Sequence, residues 1–220
     1  MSGTSTKRTQ EEKSRDMRRR LIAATLACLQ QRGYHGTSIS QILDRAGVSR
    51  GAWRHHYSSK RDLVAAAAES FLTGPIDKVS ELAPLLSDSD APLRTLVEFV
   101  WENFYQGDYR DIWLEINVAC RTDRDLKDHV EPVIRDFFDA LDRLWRDNFQ
   151  PKQVDAVPIE ALMNLTLYAM RGMAIQSVSI DEPEYYRDLR EMWIEILSPL
   201  VAVREGAFEE AAPQPPPVCE

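Results

Sequence analysis

Apolar residues recur along this chain at intervals of three and four, the spacing that places them on one face of an α-helix. The shortest clear stripe consists of Ile39, Ile42, Leu43 and Ala46. No segment shows the credible alternation of apolar and polar residues that is typical of a half-buried strand. The pattern therefore predicts an all-α protein without strands.

Glycine and proline interrupt this spacing and mark the helix ends. Helices are predicted at about 15–32, 38–46, 50–56, 60–74, 92–106, 109–120, 122–147, 159–178 and 183–203. The pair Gly74-Pro75 is expected to kink or end its helix, and Pro132 to kink its helix or mark the real start. The pattern predicts a disordered arm at 1–14, a three-helix domain at 15–63, a larger helical domain at 64–203 and a flexible tail at 204–220.

The segment from 37 to 63 carries the strongest local signals. Ser38 and Gln41 have the spacing of a capping box, which starts a helix. Gly47 follows the last apolar residue of that helix and can adopt the left-handed conformation that ends it. Ser49 then caps a second short helix, Arg50 to His56. Two helices joined by a short turn with glycine form a helix-turn-helix.

The second of these helices has an unusual outer face. It carries hydrogen-bond donors at four positions: Ser49, Arg50, Arg54 and His55. No acidic residue occurs between Asp44 and Asp62, and Gly51 is small enough for a close backbone approach. A helix that enters the major groove of DNA needs such a face, because the groove is flanked by phosphates. Lys60, beside a helix capped by Ser59, fits a phosphate contact.

The formal charge of the N-terminal region that contains the helix-turn-helix is opposite in sign to that of the rest of the chain. Residues 1–61 contain thirteen lysines and arginines against four acids, a charge of +9, while the remainder carries −17. This asymmetry indicates a nucleic-acid module joined to a body that does not bind nucleic acid. The basic arm at 1–14 either contacts DNA or is a solvated tail, and Arg18, Arg19 and Arg20 either contact phosphates or form a solvated face.

The segment 18–65 resembles, without gaps, the DNA-binding region of the TetR family of bacterial transcription regulators. The residues that carry the resemblance are Gly33-Tyr34, Thr37, Ile42, Ala46-Gly47-Val48-Ser49, Gly51, His56-Tyr57, Ser59-Lys60 and Leu63. One position departs from the family, which usually has tyrosine where this chain has Arg54. Because the family's tyrosine commonly touches the DNA backbone, Arg54 either does the same or reads a base.

We therefore expect a regulator that binds a palindromic operator as a dimer, and the resemblance alone implies a repressor. Base contacts are predicted for Arg50, Arg54 and His55, and Ser49 and Gly51 belong to the same surface. Phosphate contacts are predicted for Thr37, Ser38, His56, Tyr57 and Lys60. Trp53 is assigned to the local core, since the matching family position is apolar.

The last two predicted helices suggest how two chains associate. The helix at 159–178 is apolar nearly all round, so it must be buried on every side. Because one chain offers little to cover both helices, a homodimer with a four-helix interface is predicted. The resemblance implies the same interface.

The larger domain contains a candidate pocket for a small-molecule effector, which the resemblance also implies. Its predicted lining is Trp101, Phe104, Tyr105, Trp113, Asn117, Met163, Leu167, Met170 and Arg171. Asn117 and Arg171 are the polar members within apolar stripes, and Arg171 suggests an apolar or aromatic, anionic effector. The competing interpretation is that these aromatics and methionines are ordinary core residues.

Other functions find little support in the sequence. There is no phosphate-binding glycine loop, nucleophile motif or metal-ligand spacing among the four histidines, so no catalytic residue, metal or cofactor is expected. Three cysteines that do not pair by spacing, with no signal peptide, suit the cytoplasm. The alternative is a helical carrier or enzyme that docks on anionic membranes through its basic N-terminal region. RNA binding would need an exposed aromatic platform, which this segment lacks.

Overall fold

The computed structural model describes residues 9–78, 82, 84–86, 88–153 and 157–207. The predicted all-α architecture is confirmed. The helices are α1 (Gln10–Gly36), α2 (Ile39–Ala46), α3 (Arg50–Trp53), α4 (Lys60–Asp77), α5 (Pro92–Phe104), α6 (Gly107–Thr122), α7 (Arg124–Asn148), α8 (Ile159–Gln176) and α9 (Pro183–Leu197). Two short strands, β1 (Phe149–Pro151) and β2 (Val201–Val203), complete the described elements.

The chain forms two compact units whose boundaries fall inside helices. Of the described residues, those within 9–71 and 115–133 form the first unit, and those within 72–114 and 134–207 form the second. The core of the first unit joins α1, α2, α3 and the start of α4 through buried apolar side chains: Leu21, Ala24, Cys28, Ile42, Leu43, Ala46, Trp53 and Leu63. The apolar stripe read from the sequence is the face that α2 buries in this core.

Helix α1 is longer at its N-terminus than the sequence analysis predicted. The Thr9 side chain accepts a hydrogen bond from the backbone N–H of Glu12 (3.2 Å), and the Glu12 carboxylate accepts one from the Thr9 N–H (2.8 Å). This capping box starts the helix at Gln10. The prediction of a disordered arm up to residue 14 is therefore wrong from residue 9 onward, while residues 1–8 lie outside the described residues.

In the second unit, α5, α7, α8 and α9 pack around one apolar core. Its largest fully buried side chains include Phe149, Met170, Leu197 and Val97. The buried Arg190 of α9 donates two hydrogen bonds to the Glu98 carboxylate of α5, each 2.9 Å long. This ion pair joins the two helices from inside the unit.

The prediction that the chain contains no strand is wrong. Strand β1 pairs antiparallel with β2, so that Phe149 lies opposite Val203. Each strand has only three residues, too few for alternation to be detected in a sequence. Arg204 donates hydrogen bonds to the carbonyl oxygens of Arg146 and Phe149, each 3.1 Å long. The first residue of the predicted flexible tail is therefore held by the second unit. Residues 208–220 lie outside the described residues.

Neither of two predicted helix boundaries is present, and the alternative of a kink at either site stays a prediction. Gly74 and Pro75 lie within α4, and Pro132 lies within α7, nine residues into a 25-residue helix. In contrast, Pro92 occupies the first turn of α5, where proline's fixed φ angle and missing N–H are tolerated. No helix within the described residues is long and apolar enough to cross a membrane.

Candidate nucleic-acid interface and ligand cavity

The residues that predicted the helix-turn-helix form its helix caps and its turn in the structure. Ser38 and Gln41 form the complete capping box of α2, and Gly47 ends that helix with φ 62° and ψ 40°. The Ser49 hydroxyl accepts a hydrogen bond from the Ala52 N–H (3.3 Å) and thereby caps α3. Both helix starts are thus fixed by side chains within three residues, which is why they could be read from the sequence.

Helix α3 is shorter than predicted. It spans Arg50–Trp53, and residues 54–56 form a turn that continues from it. The N–H groups of His56 and Tyr57 both donate to the Trp53 carbonyl oxygen, at 2.9 and 3.1 Å. The chain therefore stays wound through the segment that the sequence analysis assigned to one helix.

The predicted base-contacting residues lie on the surface of this segment. Arg50, Arg54 and His55 are exposed, and a side chain at Gly51 would meet nothing within 4 Å. Trp53 points the other way and is 7% exposed in the core of the first unit, as predicted. The helix thus separates an apolar anchor from a polar, basic outer face.

Two residues with predicted phosphate contacts donate hydrogen bonds to carbonyl oxygens of the first unit. Thr37 is 3% exposed and donates its hydroxyl to the carbonyl oxygens of Gly33 (2.7 Å) and Cys28 (3.1 Å). The Lys60 ammonium donates to the Tyr34 carbonyl oxygen (2.5 Å) and lies 3.9 Å from the Tyr34 ring centroid. Burial lowers the pKa of this ammonium. Thr37 is therefore buried in the first unit, whereas Lys60, His56 and Tyr57 are partly exposed and Ser38 is exposed.

A basic groove beside α3 contains residues that the sequence analysis did not select. It lies between the first turns of α1 and the end of the α3 segment, with the lining Gln10, Glu11, Lys13, Ser14, Arg15, Met17, Arg18, Ala52, His55 and His56. Burial, then Arg18 and then His55 lower the pKa of His56. The capping-box sequence at Thr9–Glu12 was the signal that would have placed Lys13 on this helix together with Arg15.

The three arginines near the start of α1 have three different environments. Arg20 donates to the carbonyl oxygens of Ala46 and Gly47, the latter at 2.8 Å, at the C-terminus of α2. Free carbonyls at a helix end carry partial negative charge, so a cation there stabilises the helix. Arg19 pairs with Asp16 at 2.8 Å, and Arg18 lines the basic groove.

A polar cluster in the first unit joins the helix-turn-helix to α6 and α7. Asp123 accepts hydrogen bonds from the Tyr34 hydroxyl (2.7 Å), from the Arg61 Nε (2.9 Å) and from the Leu126 N–H (3.0 Å). These hydrogen bonds lower the pKa of Asp123 to about 2. Burial and the same carboxylate raise the pKa of Tyr34 to about 12. The sequence offered no signal for this contact, since its partners are some 60–90 residues apart.

The second unit encloses a largely aromatic cavity with a volume of about 710 Å³, including its opening to solvent. Its lining is Leu72, Leu82, Leu96, Phe99, Val100, Phe104, Tyr105, Tyr109, Trp113, Phe137, Leu141, Leu144, Trp145, Leu167 and Arg171. Arg171 is the only charged member among the described lining residues. Such a space, apolar with few polar groups, is typical of a small-molecule site.

Five of the nine predicted pocket residues line this cavity: Phe104, Tyr105, Trp113, Leu167 and Arg171. The structure does not bring the other four to it. Trp101, Met163 and Met170 are buried in the core of the second unit, and Asn117 is exposed on the part of α6 that belongs to the first unit. Phe99, Phe137 and Trp145 were missed because helical spacing alone cannot distinguish a lining residue from a core residue.

Metal ligation finds no support in this geometry. No group of three or more histidine, cysteine, aspartate or glutamate side chains in the described part of the chain is arranged to hold a metal ion. His55 and His56 line the basic groove rather than a shared coordination site.

The sequence pattern described as "Bacterial regulatory proteins, tetR family" matches residues 21–67, which include α2, α3 and the turn between them. Residues 21–67 of this chain therefore form a DNA-binding region of the TetR type. Relatives similar to it include the transcriptional regulator CymR of Pseudomonas putida, 26% identical over 86% of this chain and 93% of the relative. The repressor AcnR of Corynebacterium diphtheriae is 27% identical over 66% of this chain and 72% of the relative.

The fold agrees with this assignment. The crystal structure of a TetR-family regulator from Mesorhizobium loti superimposes with a TM-score of 0.67 over 89% of this chain and all of that chain, at 18% identity. The named relatives are transcription regulators rather than enzymes, which agrees with the prediction that this protein is not an enzyme. TetR regulators bind DNA and small molecules and function as dimers.

Proposed function

We propose that this protein is a dimeric transcription repressor that binds an operator through α3 and releases it when a small molecule enters the cavity. The observation that carries the proposal is the exposed, basic α3 segment, which Trp53 anchors in the core of the first unit within the region that matches the TetR pattern. Because AcnR is named a repressor and another relative, FasR, is named an activator, the proposal takes repression from the resemblance to the family and not from these relatives. Because a bacterial operator lies on chromosomal DNA, the proposal includes that the protein acts in the cytoplasm.

Within this proposal, base edges are read by Arg50, Arg54 and His55, which are exposed. Ser38, His56 and Tyr57 supply phosphate contacts, with Ser49 and Gly51 on the same surface. The groove residues Lys13, Arg15 and Arg18 extend the phosphate path along α1. Thr37 and Lys60 contribute indirectly, because their polar groups fix the segment around Tyr34.

The dimer interface is assigned to α8 and α9. Each helix leaves large apolar side chains exposed along one stripe, with Leu165, Tyr168 and Ile175 on α8 and Met192 and Ile196 on α9. Apolar surface of this extent on a monomer marks an association site. A two-fold axis would bury both stripes against their copies, as the sequence analysis predicted.

The first test is fluorescence anisotropy on the DNA upstream of the protein's own gene, against an unrelated duplex, at several salt concentrations. An operator-binding dimer should prefer the upstream DNA by about 10³-fold or more, with a steep salt dependence. Equal and weak binding to both duplexes would contradict the assignment of this DNA as the operator. Binding to anionic vesicles in its place would favour the membrane-docking alternative.

Arg54→Ala separates its two possible roles. If Arg54 reads a base, the preference among operator variants at one position relaxes by a factor that corresponds to about 1–3 kcal/mol. If it holds a phosphate, affinity falls uniformly across sequences and the salt slope decreases by about one. Arg121→Ala is the matched control, since Arg121 is an exposed arginine at the end of α6.

The dimer is tested by Met192→Glu, measured by sedimentation equilibrium. Two buried carboxylates near a two-fold axis repel each other and lose hydration, so the variant should be monomeric and lose operator affinity. Val118→Glu is the control, because Val118 is a similarly exposed apolar residue on α6. A Met192→Glu protein that remains dimeric would place the interface elsewhere.

A further inference from the structure

Two arginines of the second unit lie over indole rings but differ in their partners. The Arg190 guanidinium lies 4.3 Å from the ring centroid of Trp101 and forms a two-pronged ion pair with Glu98. Arg190 is 6% exposed, and this carboxylate compensates its charge. A planar guanidinium fits a carboxylate in this way because two parallel N–H groups meet two oxygens.

Arg171 has the aromatic platform without the carboxylate. Its guanidinium lies 4.6 Å from the ring centroid of Trp113 and 5.6 Å from that of Tyr168. The Arg171 Nε is buried and has no hydrogen-bond partner, and no acidic side chain occurs among the described residues of the cavity lining. A buried donor on a cation without an anionic acceptor is unfavourable, so the site favours an anion from outside.

The phenols near Arg171 do not supply that anion. The Tyr105 hydroxyl donates to the Leu167 carbonyl oxygen at 3.1 Å. Burial raises the pKa of Tyr105 and of Tyr109, so both phenols remain neutral at physiological pH. The wall of the cavity around Arg171 therefore carries one positive charge and no compensating negative charge among the described residues.

We propose that the cavity binds an aromatic monocarboxylate, with its carboxylate on Arg171 and its ring between the aromatic side chains of the wall. This inference rests on the proposed function in one respect, that the cavity is the effector site. The ligand's carboxylate would form an ion pair with the Arg171 guanidinium, as the Glu98 carboxylate does with that of Arg190. The apolar lining, which includes Phe104, Phe137 and Trp145, would cover the ring.

The lining argues against other anions. Dianionic phosphate groups are held by several donors, whereas this cavity has one cation among otherwise apolar and aromatic described side chains. A neutral aromatic molecule with a carbonyl group would offer the Arg171 Nε an acceptor but would not compensate the guanidinium charge. A single carboxylate on a planar apolar body matches both the charge and the surface.

The test uses three probes of one shape: 2-naphthoate, the neutral 2-naphthamide and the cationic 2-naphthylmethylamine. Each probe is titrated into the full-length protein without DNA, and binding is measured by calorimetry and by tryptophan fluorescence. Fluorescence should report binding because Trp113 and Trp145 line the cavity. Naphthoate should bind at least about tenfold more tightly than naphthamide, since the carboxylate forms an ion pair with the guanidinium whereas the amide carbonyl only accepts a hydrogen bond. The amine should bind most weakly.

Arg171→Met removes the charge but keeps an apolar side chain of comparable length. The acid-to-amide preference should fall to about one in this variant and return in part in Arg171→Lys. Arg187→Met is the matched control, because Arg187 is an exposed arginine on α9, and it should keep the wild-type preference. Circular dichroism and the urea midpoint verify that each variant folds.

Three results would overturn the proposal: equal binding of acid and amide to the wild type, an unchanged preference in Arg171→Met, or no probe binding more tightly than about 1 mM. Operator release is measured separately by anisotropy. If naphthoate binds through Arg171 but leaves the operator complex intact, the ligand class stands and the proposed response to it fails. If the protein binds no operator, the probe titrations still decide the ligand class.

Discussion

The polar cluster of the first unit and the cavity of the second differ in how a partly buried charged side chain is paired. Around Asp123, each charged group has a partner: Arg61 and the Tyr34 hydroxyl donate to the carboxylate, and so does the Leu126 N–H. At the cavity, the Arg171 Nε has no acceptor. A satisfied charge network stabilises the fold that contains it, whereas an unsatisfied one favours the binding of a molecule from outside.

Glu98→Gln gives the largest expected effect, because it shows what happens when a satisfied arginine of the second unit loses its anion. Arg190 is almost fully buried, so removal of the carboxylate charge should lower the free energy of unfolding by about 3–5 kcal/mol. Urea denaturation measures this change. A loss below about 1 kcal/mol would mean that the carboxylate partner of Arg190 contributes little to stability, so that Arg190 would not differ from the unpaired Arg171 in this respect.

Asp123→Ala tests the satisfied cluster of the first unit. The substitution removes a helix cap and a charge-assisted hydrogen bond at a carboxylate that is 14% exposed, so the free energy of unfolding should fall by about 2 kcal/mol. Asp125→Ala is the control, since Asp125 is 69% exposed and its contact with Arg61 is 3.4 Å long. Equal losses in the two variants would contradict a special role for Asp123.

The same carboxylate predicts a pH dependence. Its folded pKa of about 2 lies below the ordinary value of 3.8, so its contribution to stability is fully present above pH 3.8 and is lost as the pH falls towards 2. Acid unfolding of the wild type should therefore be steeper between pH 4 and 2 than that of Asp123→Asn. Parallel acid-unfolding curves would show that the carboxylate has no depressed pKa.

Arg171→Met should have the smallest effect on stability. Because Arg171 has no carboxylate partner among the described residues, the free energy of unfolding should change by less than about 1 kcal/mol, in either direction. Urea denaturation without ligand provides the value. A loss comparable to that of Glu98→Gln would show that Arg171 is a structural residue and would remove the basis for its role in ligand binding.

The helix-turn-helix shows which features a sequence can determine. Ser38, Gly47 and Ser49 act on groups within a few residues, so capping and turn chemistry predicted their positions without knowledge of the rest of the fold. The stripe of α2 likewise identified the face that is buried. The resemblance to the TetR family was carried by residues of the same region, and the family pattern matches residues 21–67.

Burial, by contrast, was decided by tertiary packing. Thr37 and Lys60 are polar residues beside a DNA-binding motif, yet their donors face carbonyl oxygens of the first unit. Asn117 looked like a pocket residue because of its spacing and is exposed instead. Spacing along a helix gives a residue's face but not what covers that face.

The sequence by itself determined the helical architecture, the DNA-binding motif and the presence of arginine at 171 and 190. Only the tertiary structure decided that Arg190 meets Glu98 across 92 residues of chain, while Arg171 meets aromatic rings and no carboxylate. The reason is physical: propensity, caps and periodicity act over a few residues, but the partner of a buried charge depends on which distant segments pack around it.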